Sequence, residues 1–253
     1  MKPQLFTSDP SIQNNLKDQE KHISVSLDCL EYNPKAALKV FIQLEPPSIK
    51  DLRSALINNH HSFDLILAWH TDILEGCPNS KRFIYGDCWI DIETFKSNKK
   101  NQVSFIASDK IISEGHKLRQ EVYEFLQSYK ADNFSIMNVR TPPRIPTKHP
   151  IFEEAKFSIV IENEKCENWI TEKLIDCLIT KTIPIYWGSP NVGEFFNQDG
   201  ILCFSDLEHL QKVLSEITPK MYEELLPIIE ENYKLAFKYR EFFKRVDEEI
   251  DLL

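Results

Sequence analysis

Apolar and polar positions sort into alternating strand-like and helix-like runs along this chain, most clearly over residues 157–196. Residues 157–161 (FSIVI) form a short, nearly continuous apolar run, the pattern of a strand covered on both faces in an α/β sheet. Downstream, Leu174, Ile175, Leu178 and Ile179 fall at i, i+1, i+4 and i+5, the spacing of one buried helix face, and either Asn168 or Thr171 can cap that helix. Residues 182–187 are β-branched and aromatic and stop at Gly188, Ser189 and Pro190, so a second strand follows within one crossover. This order predicts a parallel βαβ unit, right-handed by the general rule for such connections.

The same pattern recurs on both sides. Strands are expected at 22–27, 38–44, 63–69, 83–85, 103–107 and 201–204, and helices at 48–59, 116–129, 207–216, 219–233 and 235–250. The first 20 residues are polar and carry Pro3 and Pro10, so a loosely held start is expected. Residues 131–150 contain Pro142, Pro143, Pro146 and Pro150 and read as a linker. The expected division is an N-terminal α/β lobe over 1–130 and a C-terminal α/β lobe over 131–253, closed by its last helices.

Chemistry-bearing residues concentrate where elements change over. Glu162 and Asn163 stand just past the carboxyl end of the 157–161 strand, and Thr171, Glu172 and Lys173 open the helix. In open α/β sheets ligands bind outside the carboxyl ends of strands, where helix N-termini offer free N–H groups to an anion. A cation in a first helical turn opposes the helix dipole by roughly 0.3–1 kcal/mol, so Lys173 calls for an anion or for pairing with Glu172 or Asp176. His116, Lys117 and Arg119 make a second basic helix start. Glu45 follows the 38–44 strand and precedes Pro46 and Pro47, at the mouth of the same kind of crevice. His70, Asp72 and Asp64 are alternative acid–base candidates. The aromatic residues around Trp89 can line a pocket or pack a core.

The run ENEKCENWITEKLIDCLITKTIPIYWGSPNVGEFF resembles the donor-binding signature of the α-1,3-fucosyltransferases, glycosyltransferase family ten. The matching elements are Ile161, Glu162 and Asn163, then Trp169 to Lys173 (WITEK), then IPIYWGSP from Ile183 to Pro190. The resemblance implies two Rossmann-like lobes facing a central cleft, the GT-B type, and inverting transfer of L-fucose from GDP-fucose to a carbohydrate hydroxyl. Another nucleotide sugar, or a catalytically silent nucleotide- or carbohydrate-binding homologue, are the alternatives. Carried over position by position, Arg140 and Lys173 hold the donor phosphates, with Arg144 a nearby substitute. Glu172 binds the ribose hydroxyls, and Asn163 binds ribose or phosphate. Trp169, where the family more often has tyrosine, stacks on the base, and Glu162 lies beside the reacting sugar. Glu45 is the general base, although Leu44 replaces the family's glycine.

Composition narrows the rest. The 253 residues are 42% hydrophobic, enough for a proper core. A net charge of −9 argues against a nucleic-acid partner. No run approaches the ~18 apolar residues of a transmembrane segment, and the N-terminus lacks the apolar core of a signal peptide, so a soluble, cytoplasmic protein is expected. The six dispersed cysteines read as free thiols. No metal-binding DxD element stands out, so no metal ion is expected to be obligatory, and a divalent ion would at most stimulate.

Overall fold

The computed structural model describes residues 1–7, 9–141 and 147–253. Arg144 and the prolines 142, 143 and 146 therefore lie outside the described residues. The chain divides into two compact units, one of Met1–Tyr85, Cys166–Trp169 and Glu241–Leu253, the other of Gly86–Lys165 and Ile170–Arg240.

The first unit carries β1 (Gln4–Thr7), β2 (Ile23–Leu27), β3 (Leu38–Ile42), α1 (Arg53–Asn59), β4 (Leu65–Ala68), α2 (Thr71–Gly76) and β5 (Ser80–Arg82). Its five strands are parallel in the order β1-β2-β3-β4-β5. The two-residue period of the strands decides which core each side chain joins. Val40, Ile42, Leu65 and Leu67 point to one face, and Phe41, Ile66 and Ala68 to the other, where α1 and α2 contribute Leu56 and Ile73.

The second unit carries β6 (Lys100–Ser108), α3 (Glu114–Ser128), β7 (Ser135–Thr141), α4 (His149–Glu153), β8 (Ala155–Ile161), α5 (Glu172–Ile179), β9 (Ile183–Trp187), β10 (Leu202–Cys203), α6 (Leu207–Glu216), α7 (Pro219–Glu224) and α8 (Leu226–Ala236). Its sheet is also parallel, in the order β10-β9-β8-β6-β7. Phe105, Phe157, Ile159, Ile185 and Trp187 meet Leu118 and Val122 of α3 and Leu210 and Leu214 of α6 in one core. The last helix, α9 (Phe242–Asp251), belongs to the first unit, where Phe242, Val246 and Ile250 cover the face opposite α1 and α2.

The α/β class and the central β8–α5–β9 unit agree with the sequence pattern, and Thr171 is the residue that caps α5. Several boundaries differ. The units change over at residues 85 and 86 and not at 130 and 131, because β6 pairs with both β7 and β8 in the second sheet. The expected linker over 131–150 contains β7, an edge strand made by Ser135–Thr141. The expected strand at 83–85 gives way to β5 three residues earlier, and the helix expected at 235–250 begins at Phe242. The N-terminal stretch is not loose: β1 pairs with β2, and Leu16 is fully buried. The six cysteines are free thiols. Among the described residues no helix is long and apolar enough to cross a membrane.

The start of α3 is closed by a capping box. Ser113 Oγ accepts from the His116 N–H, and the Ser113 N–H donates to His116 Nδ1 at 3.3 Å. His116 is buried, and burial, with the charges of Arg119, Lys110 and Lys173, pushes its pKa down from 6.5 to about 4. Between those values the unfolded chain binds a proton that the folded one refuses, so stability falls as pH drops from 6.5 towards about 4. Glutamine at this third helical position keeps the reciprocal cap without titrating. His116→Gln is therefore expected to flatten the acid-side loss of stability, which urea unfolding between about pH 4 and 8 will measure.

Candidate active site

The second unit holds a pocket of about 150 Å³ at the carboxyl ends of β6 and β8. Ser108 of β6, Ile159, Val160 and Ile161 of β8, Phe152 of α4, and Glu172 and Lys173 of α5 line it, with Trp89, Arg119 and Lys148. Three cations thus meet where two parallel strands end and two helices begin.

Glu162 builds the helix start on which the site rests. Its side chain is fully buried, accepting from the Thr171 N–H at 3.0 Å through one oxygen and from the Thr171 hydroxyl at 2.7 Å through the other. Burial pushes the Glu162 carboxyl above its ordinary range, against the pull of Lys173 and the Thr171 bonds. Lys173 Nζ lies 3.2 Å from Glu172 Oε1 and 3.6 Å from Glu162 Oε2, and it donates to Thr171 Oγ1 at 3.1 Å. Burial opposes ionisation of Glu172 as well, but Lys173 and Lys148 outweigh it and hold that carboxyl below its usual value.

Asp176, one turn further along α5, is fully buried and serves two pocket-lining residues. Its Oδ1 accepts from the Trp89 N–H at 2.7 Å, and its Oδ2 accepts from Lys148 Nζ at 2.7 Å. Lys148 Nζ sits 4.3 Å from the centre of the ring of Trp89, a residue that is 53% exposed. Burial alone would depress Lys148, yet Asp176 and Glu172 raise it and keep it charged.

Arg119 reaches the site from α3. Its Nε and Nη2 donate to the Ile161 carbonyl at 3.0 and 2.8 Å, and Nη2 also donates to Asn163 Oδ1 at 2.7 Å. Nη1 takes no part in these bonds. Burial lowers its pKa to about 10, opposed by Glu162 and Glu172, so it remains a cation at neutral pH.

The residues singled out from sequence divide accordingly. Lys173 and Glu172 are in the pocket. Asn163 borders it through Arg119, which occupies its side-chain oxygen. Glu162 is not in the lining; it is the structural partner of the helix start. Arg140 is exposed on the edge strand β7, where it donates to Gln120 and lies 5.0 Å from the Tyr123 ring, and the structure does not bring it to the pocket. Trp169 belongs to the first unit, 2% exposed, packed 4.7 Å from Trp69 and stacked 6.4 Å from Tyr85, so its ring offers no free face. Glu45, also in the first unit, follows β3, and its N–H donates to Asp28.

The sequence does not single out Lys148, and it offers Asp176 only as a pairing partner for Lys173. Asp176 had a legible signal, since it stands four residues after Glu172 on the same helix face. Lys148 had none, lying in an aperiodic proline-rich stretch. Among the described residues no group of three or more His, Cys, Asp or Glu side chains is placed to hold a metal ion.

The mixed α/β fold, with a parallel sheet in each unit, is of the GT-B type of glycosyltransferases. Residues 96–247 match the C-terminal-domain model of glycosyltransferase family 10 (fucosyltransferase), and the chain belongs to that family. It is 29% identical over 121 residues to an alpha-(1,3)-fucosyltransferase of Helicobacter pylori, a match covering 47% of this chain and 24% of the relative. Over 84 residues it is 46% identical to the GDP-fucose protein O-fucosyltransferase 3 of Xenopus tropicalis, covering 31% of this chain and 18% of that one. The matches thus span a quarter or less of these relatives' lengths. The fold is shared with the crystal structure of an alpha1,3-fucosyltransferase with GDP, at a TM-score of 0.52 and 16% identity, over 95% of this chain and 79% of that one.

Gly115 sets how closely α3 approaches β8. Its N–H donates to the Asn163 carbonyl at 3.0 Å, and a Cβ there would stand 1.8 Å from the Glu162 carbonyl oxygen. Because the obstacle is backbone, Gly115→Ala must push α3 away and carry Arg119 with it. A stability loss of about 1–3 kcal/mol or more is expected in urea unfolding.

Proposed function

We propose that this chain transfers L-fucose from GDP-fucose to a hydroxyl of a carbohydrate acceptor, with inversion at the anomeric carbon. The observation that carries this reading is the convergence of Arg119, Lys148 and Lys173 on one pocket, inside the stretch that matches the fucosyltransferase family. A nucleoside diphosphate brings concentrated negative charge, which guanidinium and ammonium groups recognise through charge-assisted hydrogen bonds. Several relatives are named for GDP-fucose or for fucosyl transfer, which favours fucose over other sugars.

In this reading Arg119, Lys148 and Lys173 hold the diphosphate, and Glu172 accepts from the ribose hydroxyls. Trp89 offers the base the stacking face that Trp169 does not. As the bond from the anomeric carbon to the diphosphate breaks, charge grows on the leaving group and meets cations already fixed in place. The acceptor oxygen attacks the anomeric carbon from the opposite side and gives up its proton to Glu45. A divalent ion has no obligatory part in these steps.

The test is calorimetric titration with GDP, GDP-fucose, GDP-mannose and UDP-sugars. Guanine-selective binding is expected, weakened about tenfold or more in Arg119→Ala and Lys148→Ala and little changed in Arg140→Ala. Selective binding of UDP-sugars would discard fucose, and no nucleotide binding would overturn the reading. Glu45→Gln should abolish transfer of radiolabelled fucose while leaving GDP affinity within about twofold.

A further inference from the structure

The turn that delivers Glu45 is built on one buried side chain of the neighbouring strand. Asp28 stands directly after β2, 6% exposed, with φ +45°, a left-handed conformation that L-residues other than Asn and Asp seldom adopt. Its N–H donates to the Ile42 carbonyl at 3.0 Å, which docks it against the end of β3. Its carboxylate then accepts two consecutive backbone N–H groups: Leu44 at 2.8 Å on Oδ1 and Glu45 at 2.6 Å on Oδ2. Both lone-pair faces of one carboxylate therefore hold the backbone where the chain leaves the sheet. Asparagine has a single acceptor oxygen, and its amide would confront the second N–H.

The same carboxylate carries charge into a buried place. Burial pushes Asp28 up to about 7, the Leu44 and Glu45 N–H bonds pull it back, the charge of Glu45 adds to the rise, and Lys50 opposes it. Cys29 and Glu31, in the turn after β2, complete the titratable surroundings, and burial raises the Cys29 thiol. Asp28 thus takes up a proton near neutral pH, at which one of its two acceptor oxygens becomes a donor.

We infer that Asp28 is a positioning residue for Glu45, its ionised carboxylate fixing the backbone that presents the base. The inference rests on the reading of Glu45 as general base. Neither the family signature nor the pocket of the second unit involves Asp28.

Steady-state transfer of fucose, followed against pH for the wild type, Asp28→Asn and Asp28→Ala, tests it. In Asp28→Asn, kcat should fall about tenfold with the GDP-fucose KM within about twofold, because misplacing one reacting group costs rate and not donor binding. The wild-type kcat should fall as pH drops through about 7, where Asp28 takes up a proton and loses one of its two acceptor oxygens, and Asp28→Asn should lack that limb. Asp28→Ala should lack it too and show a larger loss of kcat. A purely structural Asp28 would lower thermal stability and leave the limb where it was, and that outcome overturns the inference. Should both variants fail to fold, the wild type still decides. The side-chain carboxyl ¹³C resonance of Glu45, assigned by its absence in Glu45→Gln, should show an inflection near pH 7 as Asp28 ionises, and no inflection there overturns the inference. Undiminished transfer by Glu45→Gln would instead remove the reading of Glu45 itself, whatever Asp28 does.

Discussion

Three carboxylates buried around the start of α5 set the terms for the second unit. Glu162, Glu172 and Asp176 are each 5% exposed or less, and an ionised carboxylate so far from water persists only with cations or several donors at hand. Glu162 obtains its donors from Thr171, which fixes where the helix begins. Glu172 and Asp176 obtain theirs from Lys173 and Lys148. The cations that line the pocket are therefore held rigidly before any ligand arrives. An arriving anion meets ammonium and guanidinium groups whose side-chain order has already been fixed by folding.

The approach of α3 completes that arrangement from the other side. Glycine at 115 lets the helix backbone touch the chain just beyond β8, and Arg119, one turn later, can then donate to the Ile161 carbonyl and to Asn163. A strand end that would otherwise expose an unpaired carbonyl instead anchors a guanidinium. Backbone satisfaction and electrostatics are met by one contact.

The first unit uses a different device at the carboxyl edge of its sheet. Gln43, buried just after β3, accepts from the Trp69 and His70 N–H groups beyond β4, while Asp28, beyond β2, accepts from Leu44 and Glu45. Buried polar side chains thus tie each strand end to the next after the ladder bonds have stopped. Parallel strands diverge into loops at this edge, and such ties keep the loop residues in register with the sheet.

Local pattern was enough to determine the β8–α5–β9 unit, to narrow the α5 cap to Asn168 or Thr171, and to put Glu172 and Lys173 in the first turn of that helix. Those features depend on neighbours within one or two turns, and a sequence carries that information directly. Tertiary structure decided what depends on residues far apart in the chain. The return of α9 to the first unit, 230 positions from the Lys17 N–H that donates to Asp247, has no local signal. Nor does the pairing of Lys148 with Asp176, because a lysine in an aperiodic segment looks like any solvated charge until the helix that buries its partner is placed. Arg140 and Arg119 differ in the same way. Both read as plausible anion ligands, and only the sheet order, with β7 at the edge and β6 inside, leaves the first in solvent and carries the second to the pocket.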